Sequence, residues 1–414
     1  MAVTAASTAQ AVEAVYRIES ARIIAGVARI VRDVGIAEEL AQDALVAALE
    51  QWPQTGVPDR PGAWLMATAK HRAIDLVRRK ETYARKLAEV GRSLEDAPPP
   101  AEPADPQDID DDLLRLIFTA CHPVLATEAR IALTLRLMGG LTTQEIARAF
   151  LTTEPTVAQR IVRAKRALAK AGVPFEVPYG ADREERLASV LEVIYLVFNE
   201  GYSATAGDDL VRPALCEDAL RLARVLAGLM PKEPEAHGLV ALLEFQASRI
   251  ATRTGPDGEP VLLADQNRAK WNRMLIRRGV EAMHRAGTGP YSLQAAIAGC
   301  HADALRYEDT DWRTIAALYA RLVELIPSPV VELNRAVAVS MAEGPRAALV
   351  LVDALAAEPA LRAYHLLPSV RGDLLERLGR RAEARAEFER AASLTRNARE
   401  QALLRQRAAR LIDG

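Results

Sequence analysis

Apolar residues along this chain recur at three- and four-residue intervals and seldom alternate with polar ones. Val27, Ile30, Val31 and Val34 set the pattern near the start, and that spacing gathers side chains on one face of an α-helix rather than one face of a strand. Ala, Leu, Arg and Glu dominate the 414 residues, and alternating β-branched runs are scarce. An all-α chain is therefore expected, long enough for roughly two to four domains.

Proline and charge place the boundaries. Residues 94–112, LEDAPPPAEPADPQDIDDD, hold five prolines and eight acidic residues without a Lys or Arg. Such a stretch cannot bury a core, and it reads as an acidic linker over 91–112. A second break follows Gly172, where Pro174, Pro178 and Gly180 interrupt the helical pattern. Domains are thus expected at 1–90, 113–174 and 182–414, the last interrupted by a turn-rich loop at 253–261, RTGPDGEPV. The net charge of −2 averages over cationic and anionic segments and identifies no partner. Cys121, Cys216 and Cys300 lie far apart, which fits a reducing compartment without a disulfide framework. The N-terminus lacks the basic start and apolar core of a signal peptide, and no stretch approaches the roughly 18 apolar residues of a membrane span. A cytoplasmic protein with no membrane partner is expected.

Two segments carry chemistry. In TTQEIARAFLTTEPTVAQRIVRAKRALAKAG (142–172), Thr142 followed by Glu145 forms a capping-box signature, with Ile146, Ala147 and Phe150 as the inner face of a short helix. LTTEP ends that helix, and Pro155 suits the first turn of the next. There, Val157, Ile161, Ala164 and Leu168 share one face, while Gln159, Arg163, Arg166 and Lys170 share the opposite one. Thr156 and Arg160 stand near the helix start, where a groove-inserted helix touches bases. Between 141 and 170 six basic residues (Arg148, Arg160, Arg163, Lys165, Arg166, Lys170) face two acidic ones (Glu145, Glu154). A solvated helix pair would explain the charge alone; the short turn, caps and separated stripes suit a helix-turn-helix.

The other segment is 37–80. AEELAQDALVAALEQW is an amphipathic helix with acidic residues near its start, followed by the loop PQTGVPDRP and then GAWLMATAKHRAIDLVRRK. From 60 to 86, Arg60, Lys70, Arg72, Arg78, Arg79, Lys80, Arg85 and Lys86 are opposed only by Asp75 and Glu81. Trp64 heads this basic helix, where a core aromatic is the plainer reading and a nucleic-acid contact the sharper one.

These blocks in this order, with GLTTQEIA and TVAQRIVRAKRAL, resemble a bacterial RNA polymerase sigma factor of the extracytoplasmic-function group, over roughly residues 12–172. The resemblance implies a transcription initiation factor with no catalysed reaction, cofactor or metal. Its implied partners are core RNA polymerase (β′ and β subunits), double-stranded promoter DNA and the melted −10 strand. Glu38, Glu39, Gln42 and Asp43 would supply polar contacts to a β′ coiled coil, with Leu45 and Leu49 packing. Trp64, Lys70, His71, Arg72, Arg78 and Arg79 would lie against the −10 element, and the loop 54–62 would hold an unstacked base. Thr156, Gln159, Arg160 and Arg163 would read the −35 element, while Arg166 and Lys170 would hold phosphates. Members of the group often carry Asn where His71 stands and Gly near Leu151 and Pro155, so the promoter sequence stays open.

The long tail resembles the tetratricopeptide-like C-terminal extension of one subgroup of these factors, in LLADQNRAKWNR, GPYSLQAAIAGCHADA, EDTDWRTIAALY and PSPVVELNRAVAVSMAEGP. By residue type, Gly372, Gly379, Ala384, Phe388 and Ala391 fit the small and aromatic positions of such a repeat. Ala336, Ala348 and Val352 fall one period earlier, with Tyr319 and Pro327 before them. Tyr319 to Val352 to Phe388 are separated by 33 and then 36 residues. The extension is expected to govern activity, with a possible peptide or protein ligand on a concave surface. The alternative is a helix-turn-helix regulator with a tetratricopeptide-like sensor that does not bind core polymerase, which leaves 37–80 unexplained. No Walker A, HExxH or strand-borne GxGxxG points to an enzyme. The pairs Cys121–His122 and Cys300–His301 sit in apolar helical runs and read as structural.

Overall fold

The computed structural model describes residues 5–89, 106–150, 152–203, 206–207 and 210–411. Val90, residues 91–105 of the expected linker, Leu151, and the side chains of Arg85 and Lys86 lie outside the described set. The chain is all-α, as its periodicity requires; the described strands are two residues each. It divides into two compact units, Met1–Val193 and Ile194–Gly414. No described helix is long and apolar enough to cross a membrane.

The first unit opens with α1 (Ala5–Val31), α2 (Val34–Thr55) and α3 (Pro61–Glu89) packed together. Asp33 starts α2, its carboxylate accepting from the Gly35 and Ile36 amides at 2.7 and 2.9 Å, and Gly56 (φ 84°) ends it. Ala37, Ala41, Ala44 and Ala48 form the buried stripe of α2. Their small side chains let α1 bring Ile23, Ile24 and Val27 close, and Leu65, Ala69 and Ala73 close the core from α3. A Cβ on Gly26 would sit 3.2 Å from the Met66 sulfur, a tight contact that the glycine relieves where α1 and α3 pass.

Helix α4 (Pro106–Ala120) begins inside the segment expected as extended linker. Proline suits a first helical turn, and acidic residues there are favoured by the helix dipole. Asp112 is 2% exposed, 3.4 Å from Arg29 of α1 and 2.6 Å from Arg115. Next come α5 (Thr127–Leu137), α6 (Thr143–Ala149) and α7 (Glu154–Lys170). The first half of α8 (Gly180–Tyr202) also belongs to this unit: Arg186 donates to the Phe118 carbonyl at 3.0 Å and Ser189 to the Cys121 carbonyl at 2.6 Å. The boundary expected near 182 thus falls at 193, because these two polar residues complete α4's open carbonyls.

The second unit stacks α9 (Pro213–Leu229), α10 (Pro234–Ala247), α11 (Arg273–Met283), α12 (Pro290–Asp303), α13 (Trp312–Leu325), α14 (Pro329–Ala342), α15 (Pro345–Leu355), α16 (Leu366–Arg377), α17 (Arg381–Leu394) and α18 (Ala398–Arg410). Sequential neighbours pack pairwise along most of this run. Glycine set against a phenylalanine ring recurs: a Cβ on Gly279 would lie 2.7 Å from Phe245, and one on Gly372 would lie 2.8 Å from Phe388. The loop 253–261 is a tight turn, with the Gly255 amide donating to Glu259 at 2.9 Å and Gly258 at φ 78°. A short parallel pairing of β1 (Ala206–Gly207) with β2 (Arg396–Asn397) ties the start of the unit to its end.

Candidate nucleic-acid and polymerase interface

The helix-turn-helix is built as its residues dictate. Thr142 Oγ1 accepts from the Glu145 amide at 3.1 Å, and the Glu145 carboxylate accepts from the Thr142 amide at 2.7 Å, a complete capping box. Phe150 ends α6 half-buried, and Thr153 caps α7 with Pro155 in its first turn. Thr143 donates to Glu154 at 2.9 Å and locks the turn. Val157, Ile161, Ala164 and Leu168 are buried, whereas Gln159, Arg163, Arg166 and Lys170 are exposed. Thr156 and Arg160 are half-buried at the helix start, the Thr156 hydroxyl sharing a 2.7 Å hydrogen bond with Thr153. Among the described residues no carboxylate pairs with Arg160, Arg163, Arg166 or Lys170. The stripe is left open to an anion.

On α3, Trp64 is half-buried and meets Trp52 edge-on, ring centroids 5.5 Å apart. It serves the core and the surface together. His71, Arg78 and Arg79 are exposed and Lys70 is half-buried. Arg72 lies 3.6 Å from Asp43 of α2, so two residues assigned by resemblance to different partners face each other across the helices. Both are well exposed, and such a pair holds them weakly. Between these helices Gln54 to Val57, Asp59 and Arg60 are exposed, Val57 at 40%.

On α2, Glu39 and Asp43 point to solvent, Leu45 is half-buried, and Val46 and Leu49 are 51% and 42% exposed. This is an apolar strip with an acidic border. Glu38 departs from expectation. It is 4% exposed, accepts from Arg136 of α5 at 2.6 Å and from Gln42 at 2.9 Å, and is met by the Lys165 ammonium of α7. Glu38 and Gln42 therefore brace this unit internally instead of facing out. Burial pushes the nearby Tyr16 hydroxyl up to about 12, with the Glu38 carboxylate adding and Arg136 opposing. Arg136 went unread in the sequence and Lys165 counted only toward the basic load of the helix pair, although Glu38 shares a seven-residue spacing with half-buried Leu45 and buried Trp52.

The Cys–His pairs are packing elements. Burial raises the Cys121 thiol to about 11, beside Thr134 Oγ1 at 3.2 Å, and His122 Nδ1 accepts from the Val124 amide. His301 packs edge-on against Trp312.

Comparison with known proteins places these elements. Residues 15–83 match the family model for sigma-70 region 2, residues 115–168 the model for sigma-70 region 4, and residues 186–287 a family of unknown function. An uncharacterized protein of Rhizobium meliloti (strain 1021) is 47% identical over 384 residues, 91% of this chain and 90% of that protein. The ECF RNA polymerase sigma factor SigK of Mycobacterium sp. (strain KMS) is 30% identical over 152 residues, 36% of this chain and 76% of its own length. The SigK of Mycobacterium ulcerans (strain Agy99) is 30% identical over 151 residues, 36% of this chain and 78% of its own.

Proposed function

Because the chain belongs to the extracytoplasmic-function group of RNA polymerase sigma factors, it serves promoter recognition, and we propose how its surfaces divide the work. Helix α7 enters the major groove of the −35 element, with Thr156, Gln159, Arg160 and Arg163 at base edges and Arg166 and Lys170 on phosphates. A bidentate side-chain contact of this kind is worth about 1–3 kcal/mol of base discrimination. Helix α3 lies on the −10 element through Trp64, Lys70, His71, Arg72, Arg78 and Arg79, and the stretch expected as loop 54–62, which narrows to 56–60 between α2 and α3, receives a base as the duplex opens. Unstacking costs a few kcal/mol, which stacking and backbone charge on the captured strand offset. The apolar strip Leu45, Val46 and Leu49, bordered by Glu39 and Asp43, docks on the polymerase β′ subunit. The chain catalyses nothing itself; its binding energy selects and opens a site for the polymerase. The second unit, read as a tetratricopeptide-like array, regulates that activity.

The observation that carries this reading is the stripe Gln159, Arg163, Arg166 and Lys170, exposed opposite a fully buried apolar stripe on α7. Run-off transcription with core polymerase on a promoter library tests it. Arg163→Ala changes preference at one −35 position. Arg79→Ala weakens initiation on every template and flattens its salt dependence, as loss of a phosphate contact requires. Identical effects of the two substitutions across all templates would refute the division of roles.

A further inference from the structure

We infer that the second unit holds a binding site for a small carboxylic acid with a compact apolar body, in a cavity between α8, α10, α12, α13 and α14. The cavity measures about 190 Å³, below the roughly 300–1,000 Å³ of drug-sized sites and suited to one ring or one branched chain. Phe198 and three tyrosines, Tyr195, Tyr202 and Tyr319, form aromatic walls; Asn199, Gln246, Gln294 and Asn334 supply amides, Gln294 already held by Tyr195 and the Pro290 carbonyl; aliphatic residues of α10, α12, α13 and α14 complete the lining. Among the described residues no carboxylate lines it.

Two of its polar groups, Tyr202 and Gln246, are left to donate. The Tyr202 hydroxyl is buried with Arg249 as its polar neighbour among the described residues; a guanidinium can only donate to it, so the hydroxyl proton remains to donate. Gln246 Oε1 already accepts from Arg249 Nε and Nη2 at 3.2 and 2.8 Å, so its amide nitrogen remains to donate. Donation by a cation to one end of an amide strengthens the donor at the other.

Positive charge stands directly behind these donors. The Arg253 guanidinium lies 3.7 Å from the Tyr202 ring centroid and that of Arg249 5.5 Å. Among the described residues neither has a carboxylate within ion-pair distance. Arg253 Nε is buried without a hydrogen-bond partner. His301 reports the same field: burial, then Arg249 and Arg268, lower its pKa to about 3, which keeps it neutral near pH 7. Among the described residues Glu400 opposes Arg253 only from beyond ion-pair distance, so these half-buried cations lack a close counter-ion. Shielded charge left unpaired is costly, and a ligand carboxylate would offset that cost. Both guanidiniums stand behind Tyr202 and Gln246 rather than forking into the cavity. This arrangement favours a monoanion over a phosphate dianion, which calls for direct bidentate contact.

Titration calorimetry and thermal shift on the full chain test the site without transcription, so its fate is separate from that of the promoter reading. The probes are acetate, isovalerate, benzoate, phenylacetate and 4-hydroxybenzoate, with benzamide as neutral isostere and phosphate as dianion. At least one of the four larger acids binds saturably and raises Tm with concentration, and benzamide binds at least tenfold more weakly than benzoate. Tyr202→Phe and the exposed Asn334→Ala each weaken the bound acid at least threefold; Asn334 lies at the rim, so its loss spares the fold. Arg163→Ala, in the other unit, leaves binding unchanged. The inference is overturned if no acid saturates, if benzamide matches benzoate, or if phosphate or acetate matches the larger acids. It is equally overturned if a nonapeptide with a central Glu binds more tightly than every free acid.

Discussion

In the first unit one carboxylate, Glu38, is 4% exposed and faces Arg136 at 2.6 Å together with Lys165. In the second, Arg249 and Arg253 crowd one tyrosine ring with no carboxylate in ion-pair range among the described residues. The second unit is not short of acid for such pairing. Glu244, 1% exposed, meets Arg224 at 2.6 Å, and burial raises its pKa while Arg224 opposes the rise. Charge around Glu38 is therefore closed upon itself and joins the helices of the two sigma regions. Charge around Tyr202 is open, and that is where an outside anion has something to complete. The contrast separates a charged group that holds a fold from one that waits for a partner.

The sharpest way to break the comparison is Glu38→Ala. It strands Arg136 and Lys165, both largely shielded, and losing one partner of a buried pair costs about 3–5 kcal/mol. Urea unfolding followed on the first unit should show a loss of that order, well above an exposed pair such as Arg72–Asp43. A loss below about 1 kcal/mol, the surface-pair range, would mean that Glu38 is no internal brace. Its placement would then fit the outward contact its sequence position implies.

Glu38 also marks where sequence reasoning stopped. The α7 stripes were legible because burial follows the 3.6-residue period, and the capping box because its two hydrogen bonds are local. The buried alanine stripe of α2 obeyed the same rule. Glu38 sits at that stripe's edge, and its partners are 98 and 127 residues away in sequence, Arg136 and Lys165. No local pattern encodes a pairing at that distance. Asp112 was misplaced for a similar reason: its acidic, proline-rich context reads as linker, while Arg29 and Arg115 draw it into the core. The Tyr202 cavity draws on five helices, and only the closed array brings those tyrosines and amides together.

A second effect sharpens the open side of the contrast through pH. His301 titrates near 6.5 when unfolded and near 3 in the folded unit. Between those values the unfolded chain binds a proton that the folded chain refuses, so stability falls as pH drops from about 6.5 toward 3 and is full above that window. His301→Phe keeps an aromatic edge against Trp312 and removes this contribution. Its unfolding free energy should depend on pH less steeply, by at most about 1.4 kcal/mol per pH unit. Slopes that coincide for variant and parent between pH 4 and 6 would mean that neither burial nor the arginines depress the imidazole.

The smallest effect is the most discriminating. Arg253→Met keeps a long side chain over the Tyr202 ring and removes one charge. Were Arg253 a structural ion-pair member like Lys165, this change would cost several kcal/mol. With no carboxylate in ion-pair range among the described residues, the loss of its ring contact, about 1 kcal/mol or less beyond packing, and of a distant attraction to Glu400 is set against relief of repulsion from Arg249 and of an unpaired buried Nε. Stability of the second unit, measured by urea unfolding, should therefore shift by less than about 1 kcal/mol in either direction. Benzoate affinity should fall in the same variant, because the charge removed is the one a ligand carboxylate would have balanced. A guanidinium that contributes little to the fold and much to an acid ligand is what an open charge means. A loss of stability comparable to that of Glu38→Ala would instead place Arg253 among the braces and erase the contrast between the units.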